Sequence, residues 1–129
     1  MQATKDKKTM SKKTDVLSAV EKAINRNFIV IVEGYKDKTA LEQLGFKNII
    51  VFQGKPRYKK FEEIIDLVNT LKTEVIILTD LDKKGKQFYS IIKKELLHQG
   101  IKINNKLRNL LIKERISHIE GLATFVKHN

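Results

Sequence analysis

The sequence predicts a three-layer α/β domain: a mainly parallel central sheet of about four strands, helices on both faces, and further helices at the carboxyl end. Three observations carry this. Short runs dense in Val and Ile, without polar alternation, recur along the chain, as suits strands covered on both faces. Segments with apolar residues at helical spacing lie between those runs, as in right-handed βαβ units. Glycines punctuate the boundaries where strands and helices must end.

Taken in order, Met1 to Lys13 carries Lys5, Lys7, Lys8, Lys12 and Lys13 with few apolar groups, and reads as a basic arm without fixed structure. Residues 14–129 then form one domain. Thr14-Asp15 is placed to cap a helix whose Val16, Leu17, Val20 and Ile24 share a face. The first strand is Phe28-Ile-Val-Ile-Val32, leading through Glu33-Gly34 into a helix near Asp37 to Leu44 that Gly45 stops. A second strand covers about Asn48 to Phe52, followed by the loop Gln53-Gly54-Lys55-Pro56-Arg57. Phe61, Ile64, Ile65, Val68 and Leu71 mark an amphipathic helix. The third strand, Val75 to Thr79, ends in Asp80-Leu81-Asp82. The next helix begins around Gly85, is expected to bury Phe88, Ile91, Ile92 and Leu96, and ends at Gly100. Ile101 to Ile103 is expected to add a short fourth strand. Residues 104–129 read as a helical extension through Leu107, Leu110, Leu111, Ile116, Ile119, Leu122 and Phe125.

Composition narrows function by exclusion. The chain has 129 residues, 41% of them hydrophobic, which suits one core. No apolar run approaches the ~18 residues that span a bilayer, and the basic start is not followed by an apolar signal core. A cytoplasmic location without membrane association is the expectation. The absence of cysteine removes disulfides, thiolate zinc sites and cysteine nucleophiles. Lys plus Arg number 26 against 15 Asp plus Glu, so the net charge of +11 favours an anionic partner, most commonly nucleic acid.

Within this basic chain, Glu33, Asp80 and Asp82 stand at strand ends. Parallel strands open their carboxyl ends into the ligand crevice, so the three acids are expected to meet at one edge. Two carboxylates about 5 Å apart repel by ~3 kcal/mol at an effective dielectric of about 20. A divalent cation reverses that penalty, and Mg²⁺ favours hard oxygen ligands while keeping waters that phosphate oxygens replace. Asp80 and Asp82 would point to opposite faces of a strict strand, so a turn must begin at the strand end. Gly85 would allow the sharp bend into the next helix.

These residues resemble the Toprim domain, shared by topoisomerases, bacterial-type primases, recombination-repair proteins, overcoming-lysogenization nucleases and ribonuclease M5. That family's pattern is a strand ending in Glu-Gly, here Glu33-Gly34, then a strand ending in Asp-x-Asp, here Asp80-Leu81-Asp82 with Gly85 following. The stretch Val32 to Leu41 looks like the primase version; Thr79 to Gly85 looks like the ribonuclease M5 version. The resemblance covers about residues 28–103. It implies a Rossmann-like Toprim core, with Glu33 as general acid or base and as a metal contact. It implies Asp80 and Asp82 as ligands for Mg²⁺, with Mn²⁺ as a substitute, and Gly34 as a point of close backbone approach. Asp37 is expected to cap the helix that follows it.

Other residues support the site more loosely. Lys55 and Arg57 follow the second strand, and Lys83, Lys84 and Lys86 flank the acidic turn; these cations are placed to grip phosphate or simply to be solvated. Glu120 is a candidate additional acid, Tyr35 is expected to pack on the sheet edge, and His98, His118 and His128 show no ligand spacing to one another. The short chain leaves no room for the extra domains of topoisomerases, primases or recombination-repair proteins. By analogy the expected function is that of a small Mg²⁺-dependent enzyme cleaving or transferring phosphodiester bonds in RNA or DNA, like ribonuclease M5 in RNA processing. The alternative is a non-catalytic nucleic-acid-binding or accessory module of a replication, repair or RNA-processing assembly. For an enzyme this small, a protein partner is a possible source of specificity.

Overall fold

The computed structural model describes residues 2–127, and side chains from residue 13 to 126. Its sheet has three parallel strands: β1 (Ile29–Val32), β2 (Asn48–Val51) and β3 (Val75–Ile77), in the order β2-β1-β3. Ile29 of β1 pairs with Asn48 on one side and Val75 on the other. Around the sheet lie α1 (Gln2–Asn25), α2 (Tyr35–Leu44), α3 (Arg57–Leu71), α4 (Lys83–His98), α5 (Lys106–Lys113) and α6 (Ile119–Lys127).

The strands are apolar at every position because each face has its own helical cover. Val30, Val32, Val51, Ile76 and Leu78 pack with Val16 and Val20 of α1, Leu41 of α2, Leu107 and Leu111 of α5, and Leu122 of α6. The alternate residues Ile29, Ile31, Ile50, Phe52, Val75 and Ile77 pack with Ile64 of α3 and Ile92 and Leu96 of α4. Each such side chain stabilises the fold by ~1.5–3 kcal/mol through burial alone. Gly45 ends α2 with φ at 105°, a left-handed turn that only glycine adopts without strain.

A fourth strand does not form. Ile103 makes one isolated parallel bridge to Val75, and Asn104 N–H donates to the Val75 carbonyl at 2.8 Å. The chain then turns into α5. The next carbonyls on that edge, Ile77 and Thr79, accept instead from the Arg108 guanidinium of α5, at 3.2 and 2.7 Å. One side chain takes the place of a strand. Three further details differ from the sequence reading. Helix α1 runs back to Gln2, through the segment expected to lack structure; no Gly or Pro interrupts residues 2–25. Sheet pairing of β3 ends at Ile77, two residues before Thr79. Ile91 is 42% exposed, because the apolar stripe of α4 runs through Phe88, Ile92 and Leu96, one helical turn apart, and Ile91 falls beside it.

Candidate metal and nucleic-acid site

Parallel pairing puts the carboxyl ends of β1 and β3 side by side, so Glu33 and Asp80 leave the sheet at the same edge. Glu33 follows the central strand, and its carbonyl accepts from Gln53 N–H at 3.1 Å, which fixes its backbone to the loop after β2. One carboxyl oxygen, Oε1, is buried and has no hydrogen-bond partner. Burial raises the Glu33 pKa, and repulsion from Asp80, Asp37 and Asp82 raises it further, against a hydrogen bond from the Asp80 backbone. A carboxylate that is crowded by negative charge and left with an orphaned oxygen is suited to a cation or a proton.

Asp80 is held from the carboxyl-terminal segment. Its Oδ1 accepts from Ile119 N–H at 3.4 Å, its Oδ2 lies 3.3 Å from His118 Nδ1, and Leu81 N–H donates to the Ser117 carbonyl at 2.8 Å. Asp82 caps α4, accepting from Gly85 N–H at 2.8 Å. Gly85 is required by contact rather than by bending: a methyl group there would overlap the Asp80 carbonyl and lie 2.9 Å from its Cα. Thr79 Oγ1 donates to the Gly85 carbonyl at 2.9 Å, tying the strand end to the first turn of α4.

Asp80, Asp82 and His118 each offer one ligand atom, all within 4.8 Å of one another. Donors about 2.1 Å from an octahedral ion lie ~3 Å apart when adjacent and ~4.2 Å apart when opposite, so little movement would gather these three on one cation. His118 is 62% exposed, yet its hydrogen bond to Asp80 and the charge of that carboxylate raise its pKa. No spacing signal marks it in the sequence: it reaches Asp80 across 38 positions, through the fold alone. His98 lies on α4, lining a different cavity, and His128 falls outside the described residues.

Beside this group lies a cavity of about 680 Å³, lined in part by Glu33, Gly34, Asp37, Lys84, Phe88 and Glu120. Glu33 thus faces the cavity on one side and the aspartates on the other. Glu120 stands on the wall from the first turn of α6. Asp37 accepts from Gly34 N–H at 3.3 Å, the expected helix-capping contact, and its pKa is raised, by burial first. Gly34 is extended, and a methyl group there would sit 3.1 Å from Gln53 Oε1. Tyr35, expected to pack on the sheet edge, is 58% exposed on the cavity rim. Of the expected phosphate-gripping cations, Lys84 lines the cavity; Lys83 and Lys86 are exposed on the same helix turn, and Lys55 is exposed in the loop. Arg57 lies over the Phe88 ring, 6.0 Å from its centre, and lines a second cavity with Phe61, Ile91 and Lys94.

This strand-end geometry meets an independent comparison: the Toprim domain family matches residues 27–105. The chain belongs to the Toprim family. A UPF0292 protein of Methanocaldococcus jannaschii is 37% identical over 101 residues, covering 75% of this chain and 77% of that one. A UPF0292 protein of Methanosarcina barkeri is 31% identical over 125 residues, covering 93% and 84%. Among solved structures, a putative protein from Aquifex aeolicus superposes with a TM-score of 0.70 at 34% identity, over 84% of this chain and 95% of that one. Toprim membership suggests metal-dependent work related to nucleic acid, and the Asp80–Asp82–His118 group is a candidate for the metal. Among the described residues, no helix is long and apolar enough to cross a membrane.

Proposed function

We propose that this protein is a divalent-metal-dependent phosphodiesterase acting on nucleic acid, with Glu33 as its general acid or base. The observation that carries this reading is the buried, partnerless Oε1 of Glu33, set against Asp80 and Asp82 in a chain of net charge +11. Asp80 and Asp82 would hold the cation, with His118 near enough to join them; Mg²⁺ suits the carboxylates, and an imidazole makes Mn²⁺ a good substitute. A bound cation would neutralise charge developing on the phosphate. Glu33, its pKa raised, is suited to taking a proton from an attacking hydroxyl or water, or to giving one to the leaving oxygen. Lys84 would place a phosphate at the cavity mouth, and the exposed lysines of α4 would extend that contact along the backbone of the nucleic acid.

The test is Glu33→Gln on RNA and DNA substrates with Mg²⁺, Mn²⁺ or chelator. The expected result is loss of turnover by at least ~100-fold, in the range of a positioned acid or base, with nucleic-acid binding retained. Equal turnover in the variant removes Glu33 from the reaction. Metal-dependent retention of nucleic acid without new product ends, across varied substrates, favours the second reading, an accessory binding module. That reading is favoured by the small domain, which offers few groups to select a substrate.

A further inference from the structure

We infer that Arg108 is the positioning residue of the acidic turn: a buried guanidinium on α5 that stands in for the missing strand and fixes where Asp80 and Asp82 sit. Arg108 is only 3% exposed. Its Nη1 donates to the Ile77 carbonyl at 3.2 Å, the Thr79 carbonyl at 2.7 Å and Thr79 Oγ1 at 3.2 Å. The ring of Tyr89 lies against the guanidinium, 4.2 Å from its carbon to the ring centre, and Tyr89 Oη donates to Asn105 Oδ1 at 2.8 Å.

Three features make this more than packing. First, on this outer edge the backbone bonds to the neighbouring chain stop at Val75, so the carbonyls of the buried residues Ile77 and Thr79 would otherwise be unpaired there. Second, a guanidinium only donates, so Thr79 Oγ1 accepts from Arg108 and must direct its own proton to the Gly85 carbonyl. The chain Arg108–Thr79–Gly85 thereby sets the first turn of α4, whose Gly85 N–H is the partner of Asp82. Third, the positive charge lies near enough to Glu33 and Asp80 to be felt by both. All three bonds leave from Nη1 while the guanidinium carbon stays 4.2 Å from the centre of the Tyr89 ring; a lysine ammonium, a compact point charge on a flexible stem, does not reproduce the donor and the ring contact together. Arg108 lies beyond residues 27–105, so the helix outside the family-matched segment helps to build the site.

The test uses the full chain, with Arg108→Lys, Arg108→Met and a control, Leu111→Ala, which empties a buried position on the same helix without touching a polar group of the turn. Amide hydrogen exchange at Leu81 and Gly85 is measured in chelator, so this readout stands apart from the metal-site reading on which the inference otherwise rests. Mn²⁺ affinity is measured by titration calorimetry. Both Arg108 variants are expected to speed exchange at the two amides and to weaken Mn²⁺ binding by ~10–100-fold, the range for groups that orient metal ligands. Leu111→Ala is expected to lower the melting temperature while leaving Mn²⁺ affinity within about twofold. The sign of the Mn²⁺ change is diagnostic: removing a nearby cation without moving the ligands would strengthen binding. Tighter Mn²⁺ binding in Arg108→Met, unchanged exchange, or equal loss in Leu111→Ala overturns the inference. Wild-type protein that binds no Mn²⁺ defeats the metal reading alone, and exchange still decides the role of Arg108. If Arg108→Met does not fold, Thr79→Val, which keeps the shape and removes the hydroxyl, must speed exchange at Gly85 or the inference fails.

Discussion

Gly85→Ala is a sharp test of how the acidic turn is built, because helix propensity and contact geometry give opposite signs. Gly85 is the third residue of α4, where alanine would ordinarily stabilise a helix by up to ~1 kcal/mol. Here the added methyl would lie 2.5 Å from the carbonyl carbon of Asp80 and 2.9 Å from its Cα, and both are backbone atoms. No side chain can rotate away, so the strand end and the helix must separate. Overpacking costs about 1–3 kcal/mol, and overlap with a backbone carbonyl belongs in the upper part of that range, ~2–3 kcal/mol, which outweighs the propensity gain and leaves a net loss of ~1–2 kcal/mol. At ~2.1 cal/mol/K per residue, 129 residues unfold with ~0.27 kcal/mol/K, so the melting temperature should fall by about 4–7 °C. The same displacement moves Asp80 and strains the Gly85–Asp82 bond, so Mn²⁺ affinity should fall by at least ~10-fold. Calorimetric melting in chelator and Mn²⁺ titration read the two effects. A melting temperature that is unchanged or higher would refute the contact argument.

The other predictions concern charge. Glu33→Gln should stabilise the metal-free protein at neutral pH, because the raised pKa means ionised Glu33 opposes folding. The folded carboxyl binds its proton more tightly than the unfolded one, so the contribution of Glu33 to stability is fully present below the ordinary value of 4.5 and is lost as pH rises through the folded pKa. The variant's advantage in denaturant titrations should vanish in acid; a constant advantage would refute it. Lys84→Gln should lower the slope of log affinity against log salt by about 0.7–0.9, as one phosphate contact requires, whereas Lys22→Gln, exposed on α1, should leave it unchanged. His118→Ala should weaken Mn²⁺ more than Mg²⁺ in parallel titrations, since the imidazole favours the softer ion; equal changes would place His118 outside the ligand set.

What was legible in the sequence follows period and local chemistry. The Val and Ile runs of β1, β2 and β3 announced strands covered on both faces, and they lie between two helical layers. Glu33 and Asp80 were legible because a parallel sheet sends strand ends to one edge. Contacts between distant segments were not legible. Ile101 to Ile103 has strand composition, yet nothing local says that Arg108, five residues further on, will take the carbonyls a fourth strand would have used. Nothing in the local sequence sets Arg108 apart from the rest of the 26 Lys and Arg residues. His118 gave no spacing signal, since its partner is 38 positions earlier. Ile91 had the right composition and the wrong angle, a register question that only the packed helix answers.

The placement of the acids also explains why the site depends on so much of the chain. Ligand atoms within 4.8 Å, as in Asp80 and Asp82, repel by ~3.5 kcal/mol at an effective dielectric of about 20 and by ~0.9 kcal/mol if fully water-screened. Either figure is a sizeable share of the ~5–15 kcal/mol that holds a typical domain together. Such a cluster needs backbone that cannot relax away from the repulsion. Here each acid is tied to a different element: Glu33 through Gln53, Asp82 through Gly85, and Asp80 through His118 and Ile119. Arg108 supplies the fourth tie and the one buried positive charge among the described residues near the cluster. A cation added to this frame meets ligands already held apart from their own preferred positions, so its binding relieves repulsion rather than ordering loose chain. On that ground metal should raise the melting temperature of the wild type more than that of Glu33→Gln or Asp80→Asn, in which part of the repulsion has already been removed.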